Sequence, residues 1–406
     1  MDASPVYVMG YARTPFGKFG GALRTLSLPQ LGALSMTSAL ERAGIEPTRV
    51  DEVALGVNFP GGDRSLARQV ALRAHVPDDR VSYTVDRACC SSLTAINLAS
   101  KSIRLGDAAI ALAGGVENLS RVPYFIEAAR FGQRLGDIVL TDQLVVSCPY
   151  SGVARAVQAS NEAKQYAVSR EMQDEWAQRS QERYAKALAA GFFDGEIVPV
   201  DVVDTEGGHV VLTGDEVPRA NSTLEALGQL PTVNGSETVT AGNAPDLSSG
   251  STALVLGSSP LDDGPTIQIS GCAAAAGDPQ RIASMPAVAA QLALKSAGVT
   301  LSDVDVIEIN EAFAAVPLVS TIVLANGDLA EAARLRERTN VNGGSIAIGH
   351  PTGATAGRLV MTAASELLRR GGGTGLVTIC GGIGEAESVV ITVSDADATA
   401  TGRRTR

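Results

Sequence analysis

Five cysteines and three histidines in 406 residues leave few places for nucleophilic or acid–base chemistry. Two of the cysteines are adjacent, in Val85-Asp86-Arg87-Ala88-Cys89-Cys90-Ser91-Ser92-Leu93. They stand just before a helical pattern that begins near Ser91. Unpaired N–H groups and the helix dipole at such a start lower a thiol's pKa and favour thiolate. The same N–H groups can hold an oxyanion. The competing reading is two small core residues, since free cysteine is commonly buried. His350 lies in Asn340–Arg358, NVNGGSIAIGHPTGATAGR, where glycines let the backbone approach a ligand closely. That stretch lacks the lysine of a P-loop and does not match G-x-G-x-x-G. Cys380 closes the apolar run of GLVTICGGIGE, which puts a thiol at a strand's carboxyl end, where α/β proteins bind ligands. Asn310-Glu311-Ala312-Phe313 ends a similar run, and a polar pair there serves equally well to cap a helix. His75, before a Pro-Asp-Asp turn, and His209, in a polar GGHVV stretch, read as structural or exposed.

These residues need a frame, and the chain supplies an α/β alternation of short apolar runs and amphipathic stretches. Strands are expected at PVYVMG (5–10), VDEVALGVN (50–58), DAAIALAGG (107–115), VDVIEIN (304–310), GLVTICGG (375–382) and SVVITVS (388–394). Helices are expected over 28–44, 91–106, 169–191 and around 361–372. Two segments echo each other. Ala43-Gly44-Ile45 before VDEVAL resembles Ala297-Gly298-Val299 before VDVIEI, and AIALAGGVE (109–117) resembles LVTICGGIG (376–384). The echo implies two pseudo-repeated halves, expected over 1–270 and 271–394. Residues 119–245 break the rhythm and read as an inserted lobe for substrate or subunit contact. The last dozen residues, DADATATGRRTR, lack apolar periodicity and are expected to be a disordered tail, 395–406.

Composition removes several function classes. Apolar residues make up 45% of the chain, enough for a large core. A formal net charge of −11 argues against a nucleic-acid or anionic-membrane surface. No run of about 18 apolar residues suggests a membrane span. Five cysteines without C-x-x-C pairs argue against a disulfide framework or a zinc site. No basic n-region with an apolar core opens the sequence, so the expected location is cytoplasmic.

In order along nearly the whole chain, four loops match a known set. Cys89-Cys90-Ser91 matches CxS, Asn310-Glu311-Ala312-Phe313 matches NEAF, Gly349-His350-Pro351 matches GHP, and Cys380-Gly381-Gly382 matches CxG. GGVENLS (114–120), SREMQDEWA (169–177), STLEAL (222–227) and TAGNA (240–244) match between them. On these residues the chain resembles the thiolase family. The resemblance implies an α/β fold of five layers, αβαβα, with two similar halves and an inserted loop domain. It implies an acyltransferase acting on coenzyme A thioesters, by reversible Claisen condensation of acyl-CoA with acetyl-CoA or thiolysis of 3-oxoacyl-CoA. Cys89 would form the acyl-enzyme, His350 would accept its proton, and Cys380 would remove the α-proton of the second substrate. His350 and a water held by Asn310 would hold the enolate oxygen. The N–H groups of Cys89 and Gly382 would hold the tetrahedral oxyanion. Ala244 and Pro245 would lie at the CoA. No metal or further cofactor is implied, and a homodimer or homotetramer is expected. No partner hydratase–dehydrogenase is supported by any residue.

The sequence departs from the family pattern at four places. Asp86 and Ser92 stand where thiolases usually carry Asn and Gly, and make the first loop resemble that of β-ketoacyl synthases. A decarboxylative ketosynthase would carry a second histidine loop in place of Asn310-Glu311 and would lack a thiol at 380. A protein of the same fold that binds acyl groups without condensing them would have lost one of the four loops, and none is lost. Arg155-Ala156-Val157-Gln158-Ala159-Ser160 replaces a Met-Gly-x-Thr-Ala-Glu stretch near the acyl pocket. Pro245 replaces a serine expected at the pantetheine. Acyl-chain preference and the CoA contacts are therefore open.

Overall fold

The structure, a computed structural model, describes residues 4–127, 129–144, 147–203, 207–219, 221–261 and 264–394. The expected tail at 395–406 lies outside the described residues. The first half runs β1 (Tyr7–Arg13), α1 (Leu28–Ala43), β2 (Glu52–Gly56), α2 (Leu66–Arg73), β3 (Val81–Val85), α3 (Ser91–Leu105) and β4 (Ile110–Asn118). A lobe follows, carrying α4 (Arg155–Gln165) and α5 (Arg170–Ala189), and the chain returns as β5 (Ser248–Gly257). The second half runs β6 (Thr266–Ala276), α6 (Met285–Ala297), β7 (Val306–Ile309), α7 (Ala315–Leu324), α8 (Thr355–Arg370), β8 (Gly373–Gly382) and β9 (Glu385–Ser394). The division expected at residue 270 falls inside β6.

Strand pairing makes the pseudo-repeat explicit. The order β1-β5-β4-β2 in one half answers β6-β9-β8-β7 in the other, with β3 added at the first half's outer edge. In each half the first two pairings are antiparallel and the last is parallel. The halves join where Tyr7 faces Gln268 and Ile269 N–H donates to Val6 O at 2.8 Å. Parallel strands need helical crossovers. Here α3 feeds β4 and α8 feeds β8. Both helices stop at a glycine in the left-handed region, Gly106 (φ 83°) and Gly371 (φ 84°), which L side chains rarely adopt.

Three apolar layers bind the architecture. Leu93, Ile96, Ala99 and Ile103 of α3 and Leu359, Val360, Ala363 and Leu367 of α8 share one buried cluster with both halves of the sheet. A second cluster joins α1 and α2 to the outer face of the first half. A third joins α6, α7 and the lobe helices α4 and α5 to the second half. The layers run helix, sheet, helix, sheet, helix. Burial on this scale, at roughly 25 cal/mol per Å² of apolar surface, is the main stabilising term.

Several elements were not expected from the sequence. β5, SSGSTALVLG, is rich in serine and glycine, yet every residue is buried. Its hydroxyls are satisfied internally: Ser249 donates to Asn118 Oδ1 at 2.8 Å, Ser251 to Leu31 O at 2.6 Å and Thr252 to Ala354 O at 2.9 Å. β6 ends in four alanines, a composition poor in strand preference, and is held by pairing along β9.

Candidate active site

The turn that delivers Cys89 leaves β3 and enters α3 within five residues. Ala88 carries it at φ 49°, a left-handed conformation costly for a residue with a Cβ. Its surroundings over-determine the turn. Asp86 Oδ1 accepts from Ala88 N–H at 3.0 Å, while Ser91 Oγ accepts from Arg87 N–H at 2.9 Å and donates to Ala88 O at 2.6 Å. Arg87 reaches into the other half, where its guanidinium lies 2.7 Å from Glu387 Oε2 on β9. The same carboxylate accepts from Thr94 and, at 2.6 Å, from Asn97, both on α3. Asp86 thus has a plain local task, capping the nucleophile turn. Ser92 Oγ accepts from Gly357 N–H at 3.1 Å, where α3 crosses α8.

Cys89 is half-buried, whereas Cys90 is fully buried with its thiol 3.5 Å from Ile379 O. A Cβ built on Gly381 would come within 3.0 Å of Cys90 Sγ, so this thiol is sealed into the core. Of the pair, only Cys89 retains exposure. His350, 8% exposed, places Nε2 3.2 Å from Cys89 Sγ and Nδ1 2.7 Å from Thr355 Oγ1. The threonine hydroxyl gives its single hydrogen to Pro351 O at 3.0 Å. It therefore accepts from Nδ1–H, which leaves the Nε2 lone pair directed at the thiol. Burial, and then the charge of Arg358, push the imidazole down to about 3, so it is a neutral base at physiological pH.

The thiols behave differently from the expectation of a helix-activated thiolate. Burial pushes Cys89 well up, with Cys380 adding to it and Arg155 opposing. The helix start offers little counterweight, because Cys90 N–H and Ser91 N–H already donate to Arg87 O (3.0 Å) and Ala88 O (3.1 Å). Cys380, 3% exposed, is pushed up to about 11 by burial, again opposed by Arg155 and by the Gly382 N–H. The resting site holds neutral thiols beside a neutral imidazole. Thiolate must arise by transfer during reaction.

Asn310, fully buried, follows β7 and is held to β8 by Asn310 N–H to Thr378 O at 3.0 Å. Ser345 Oγ donates to its Oδ1 at 2.7 Å, which orients Nδ2 toward His350 Nε2 at 3.5 Å. Ser345 in turn accepts from Arg358, itself paired with buried Glu308 at 3.3 Å. The structure thus gathers Cys89, His350 and Asn310 by direct contact. Cys380 and Gly382 lie within electrostatic reach, at the end of β8.

Glu311, beside Asn310, does not cap α7, the helix that follows it. Its carboxylate accepts from Trp176 Nε1 (2.8 Å), Ser180 Oγ (2.8 Å), Asn340 Nδ2 (2.9 Å) and Ile346 N–H (3.0 Å). It anchors the Asn310 loop to lobe helix α5. Glu117 does similar work for the His350 loop, accepting from Asn58 N–H, Phe59 N–H, Gly353 N–H and Thr352 Oγ1 at 2.8–3.0 Å. Sequence reading missed the positioning roles of Glu117, Ser345 and Thr355. The available signals were the glutamate of GGVENLS and the hydroxyl one helical turn beyond His350.

A cleft of about 390 Å³ opens beside the lobe, lined among others by Arg219, Asn221, Ser222, Leu227, Ala244 and Ile346. Ala244 lines this cleft; Pro245, half-buried, follows it but does not. Arg219 pairs with Asp246 at 2.5 Å at its rim. Among the described residues no cluster of three His, Cys, Asp or Glu could hold a metal ion, and no helix is long and apolar enough to cross a membrane.

Both halves of the frame have counterparts in known proteins. The family model of the thiolase N-terminal domain matches residues 6–259, and that of the thiolase C-terminal domain matches 264–393. The chain belongs to the thiolase family. An acetyl-CoA acetyltransferase of Escherichia coli is 40% identical over 396 residues, 95% of this chain and 98% of that protein. The crystal structure of the Bacillus anthracis acetyl-CoA acetyltransferase superposes with a TM-score of 0.90 at 36% identity, over 97% and 99% of the two chains. Human mitochondrial 3-ketoacyl-CoA thiolase, in complex with CoA, gives 0.88 at 34% identity, over 96% and 98%. The five-layer thiolase fold is thereby shown.

Proposed function

We propose that this protein is an acyl-CoA C-acyltransferase that makes or cleaves 3-oxoacyl-CoA through an acyl group carried on Cys89. The observation that carries the proposal is the Nε2 lone pair of His350 held 3.2 Å from Cys89 Sγ by a committed Nδ1–H. In the first step Cys89 Sγ attacks the thioester carbonyl and its proton passes to His350 Nε2. The oxyanion is met by the N–H groups of Cys89 and Gly382. The carbonyl then re-forms, the bond to CoA sulfur breaks, and His350 returns the proton to the leaving thiolate. Removing one oxyanion donor costs about 3–4 kcal/mol of barrier in such sites.

In the second step Cys380 first gives its thiol proton to His350 Nε2 and then, as thiolate, takes an α-proton from acetyl-CoA. The resulting enolate oxygen faces His350 and the Asn310 amide, the latter acting directly or through a bound water. The enolate carbon attacks the acyl carbonyl, the bond to Cys89 sulfur breaks, and 3-oxoacyl-CoA leaves. His350 gives its proton to Cys89 and Cys380 keeps the α-proton, so both thiols and the imidazole return to their neutral forms and the cycle needs no metal or cofactor beyond its CoA substrates. Thiolysis is the reverse. A ketosynthase mechanism would leave Cys380 idle, which is why deprotonation is preferred.

CoA would lie along the cleft lined by Arg219, Ser222 and Ala244. Five free cysteines suit a reducing compartment, and a cytoplasmic place in fatty acyl metabolism follows from that and the substrate class. A homodimer or homotetramer is supported by the open edge of β3, where Val81 is 63% exposed, and by exposed Tyr124, Phe131, Leu135 and Ile138 in the lobe. A monomer in sedimentation equilibrium would refute that part. The direct test of the chemistry is thiolysis of acetoacetyl-CoA. The wild type should consume it, and a Cys89→Ala/Cys380→Ala double variant should not. Equal rates would overturn the proposal.

A further inference from the structure

Arg155 opens α4, at the position where the family's acyl-pocket stretch carries methionine. Its guanidinium lies against the reactive loop: a Cβ built on Gly382 would stand 3.0 Å from Nη2 and 3.1 Å from Cζ. The side chain is half-buried, and among the described residues its one hydrogen-bond partner is Gln158 Oε1, 3.1 Å from Nη1. Gln158, itself buried, is fixed by donation to Pro279 O and Gln280 Oε1, both at 3.2 Å. The nearby carboxylates are engaged elsewhere. Glu162 accepts from the N–H groups of Ile282, Ala283 and Ser284 at 2.5–3.2 Å, and Glu117 from the N–H groups of Asn58 and Phe59 and from Thr352 and Gly353 of the His350 loop. Most donors of this half-buried guanidinium are left open to a ligand, and the planar fork suits a carboxylate.

We propose that Arg155 selects substrates whose acyl chain ends in a carboxylate, so that the preferred 3-oxoacyl-CoA is a short dicarboxylic one. This rests on the thiolase reading above and names the substrate class of the same site. Chain length follows from position. The guanidinium packs on Gly382, whose N–H meets the thioester oxygen, so only a few methylenes separate the carbonyl on Cys89 from the terminal carboxylate. A methyl-ended chain of equal length would leave the guanidinium unpaired and partly stripped of water.

The test compares kcat/KM for CoA-dependent thiolysis of 3-oxoadipyl-CoA and 3-oxohexanoyl-CoA, six-carbon chains that differ in the terminal carboxylate. The wild type should favour the carboxylate. In Arg155→Met that preference should fall by roughly 10- to 100-fold, the worth of a charge-assisted pair. Arg155→Lys should keep part of it, since the charge remains and the fork is lost. Independently of any variant, succinyl-CoA should acylate wild-type Cys89 faster than butyryl-CoA, read by intact mass. A wild type that prefers the methyl-ended members of both pairs overturns the proposal. So does an Arg155→Met variant that loses both thiolysis reactions by one factor, which would make the cation an aid to the thiols instead. If the wild type also leaves acetoacetyl-CoA untouched, the thiolase reading itself has failed.

Discussion

The two halves of the sheet put one frame to opposite uses. At the end of β2 the first half carries Gly56; at the end of β7 the second half carries Asn310 in the equivalent place. A Cβ on Gly56 would collide with the Ser91 backbone, so the bare glycine lets the start of α3 sink onto the strand ends. The equivalent position opposite is filled by an amide that faces His350. One strand over, Ala113 of β4 stands where β8 carries Cys380, and Gly115, whose counterpart is the equally bare Gly382, leaves room for Ser92 and for the Gly353 carbonyl. One half clears space for a nucleophile, and the other supplies the groups that act on it. A duplicated scaffold thus becomes an asymmetric site by removing side chains from one copy.

That contrast can be broken in graded ways. Cys89→Ala should remove acylation by acetyl-CoA altogether, lowering thiolysis by on the order of 10⁵ or more. Cys380→Ala should still gain an acetyl group, detected by intact mass, yet lose about 10²- to 10⁴-fold in thiolysis. Acylation of the first variant, or none in the second, would contradict the division of labour. Exchanging the paired positions is subtler. Asn310→Gly should lower kcat by about 10²- to 10³-fold as a lost donor does. Gly56→Ala should act first on stability, by about 1–3 kcal/mol in denaturant unfolding, because the added methyl overpacks a buried backbone contact. A Gly56→Ala protein of unchanged midpoint would mean α3 can give way.

The smallest effect concerns His350. In the folded protein it binds a proton only near pH 3, against about 6.5 when free. Between those values the unfolded chain holds a proton that the folded one refuses, so this residue's share of stability is intact above pH 6.5 and drains as pH falls toward 3. Urea unfolding of wild type and His350→Gln across that window should show a shallower acid decline in the variant. Parallel declines would mean the buried neutral imidazole contributes nothing to it.

The candidate site residues were legible because each stands in a short loop with a recognisable neighbour pattern. Cys89, His350, Asn310 and Cys380 could all be named as candidates from the chain alone, and the structure brings the first three into contact. What holds them could not, since it depends on contacts between distant segments. Glu311 looked like a cap and is an anchor for Trp176 and Ser180, more than a hundred residues away. Asp86 looked borrowed from another enzyme class, and the turn shows it bonding Ala88 N–H. The helix start suggested a thiolate, but burial outweighs it because the helix's first donors are already taken. Strands β1, β2, β4, β7, β8 and β9 followed from apolar runs. β5 and β6 did not, because serine, glycine and alanine carry little apolar pattern.

The contact between His350 and Cys89 spans 261 residues of chain. Synthesis runs at about 5–20 residues per second, so the cysteine emerges roughly 13 to 50 seconds before its base. For that interval the Cys89 loop has neither the imidazole that faces its thiol nor the β9 carboxylate that grips Arg87. On the proposed mechanism the growing chain carries an ordinary thiol, and acyl transfer begins only when the last two strands close the sheet.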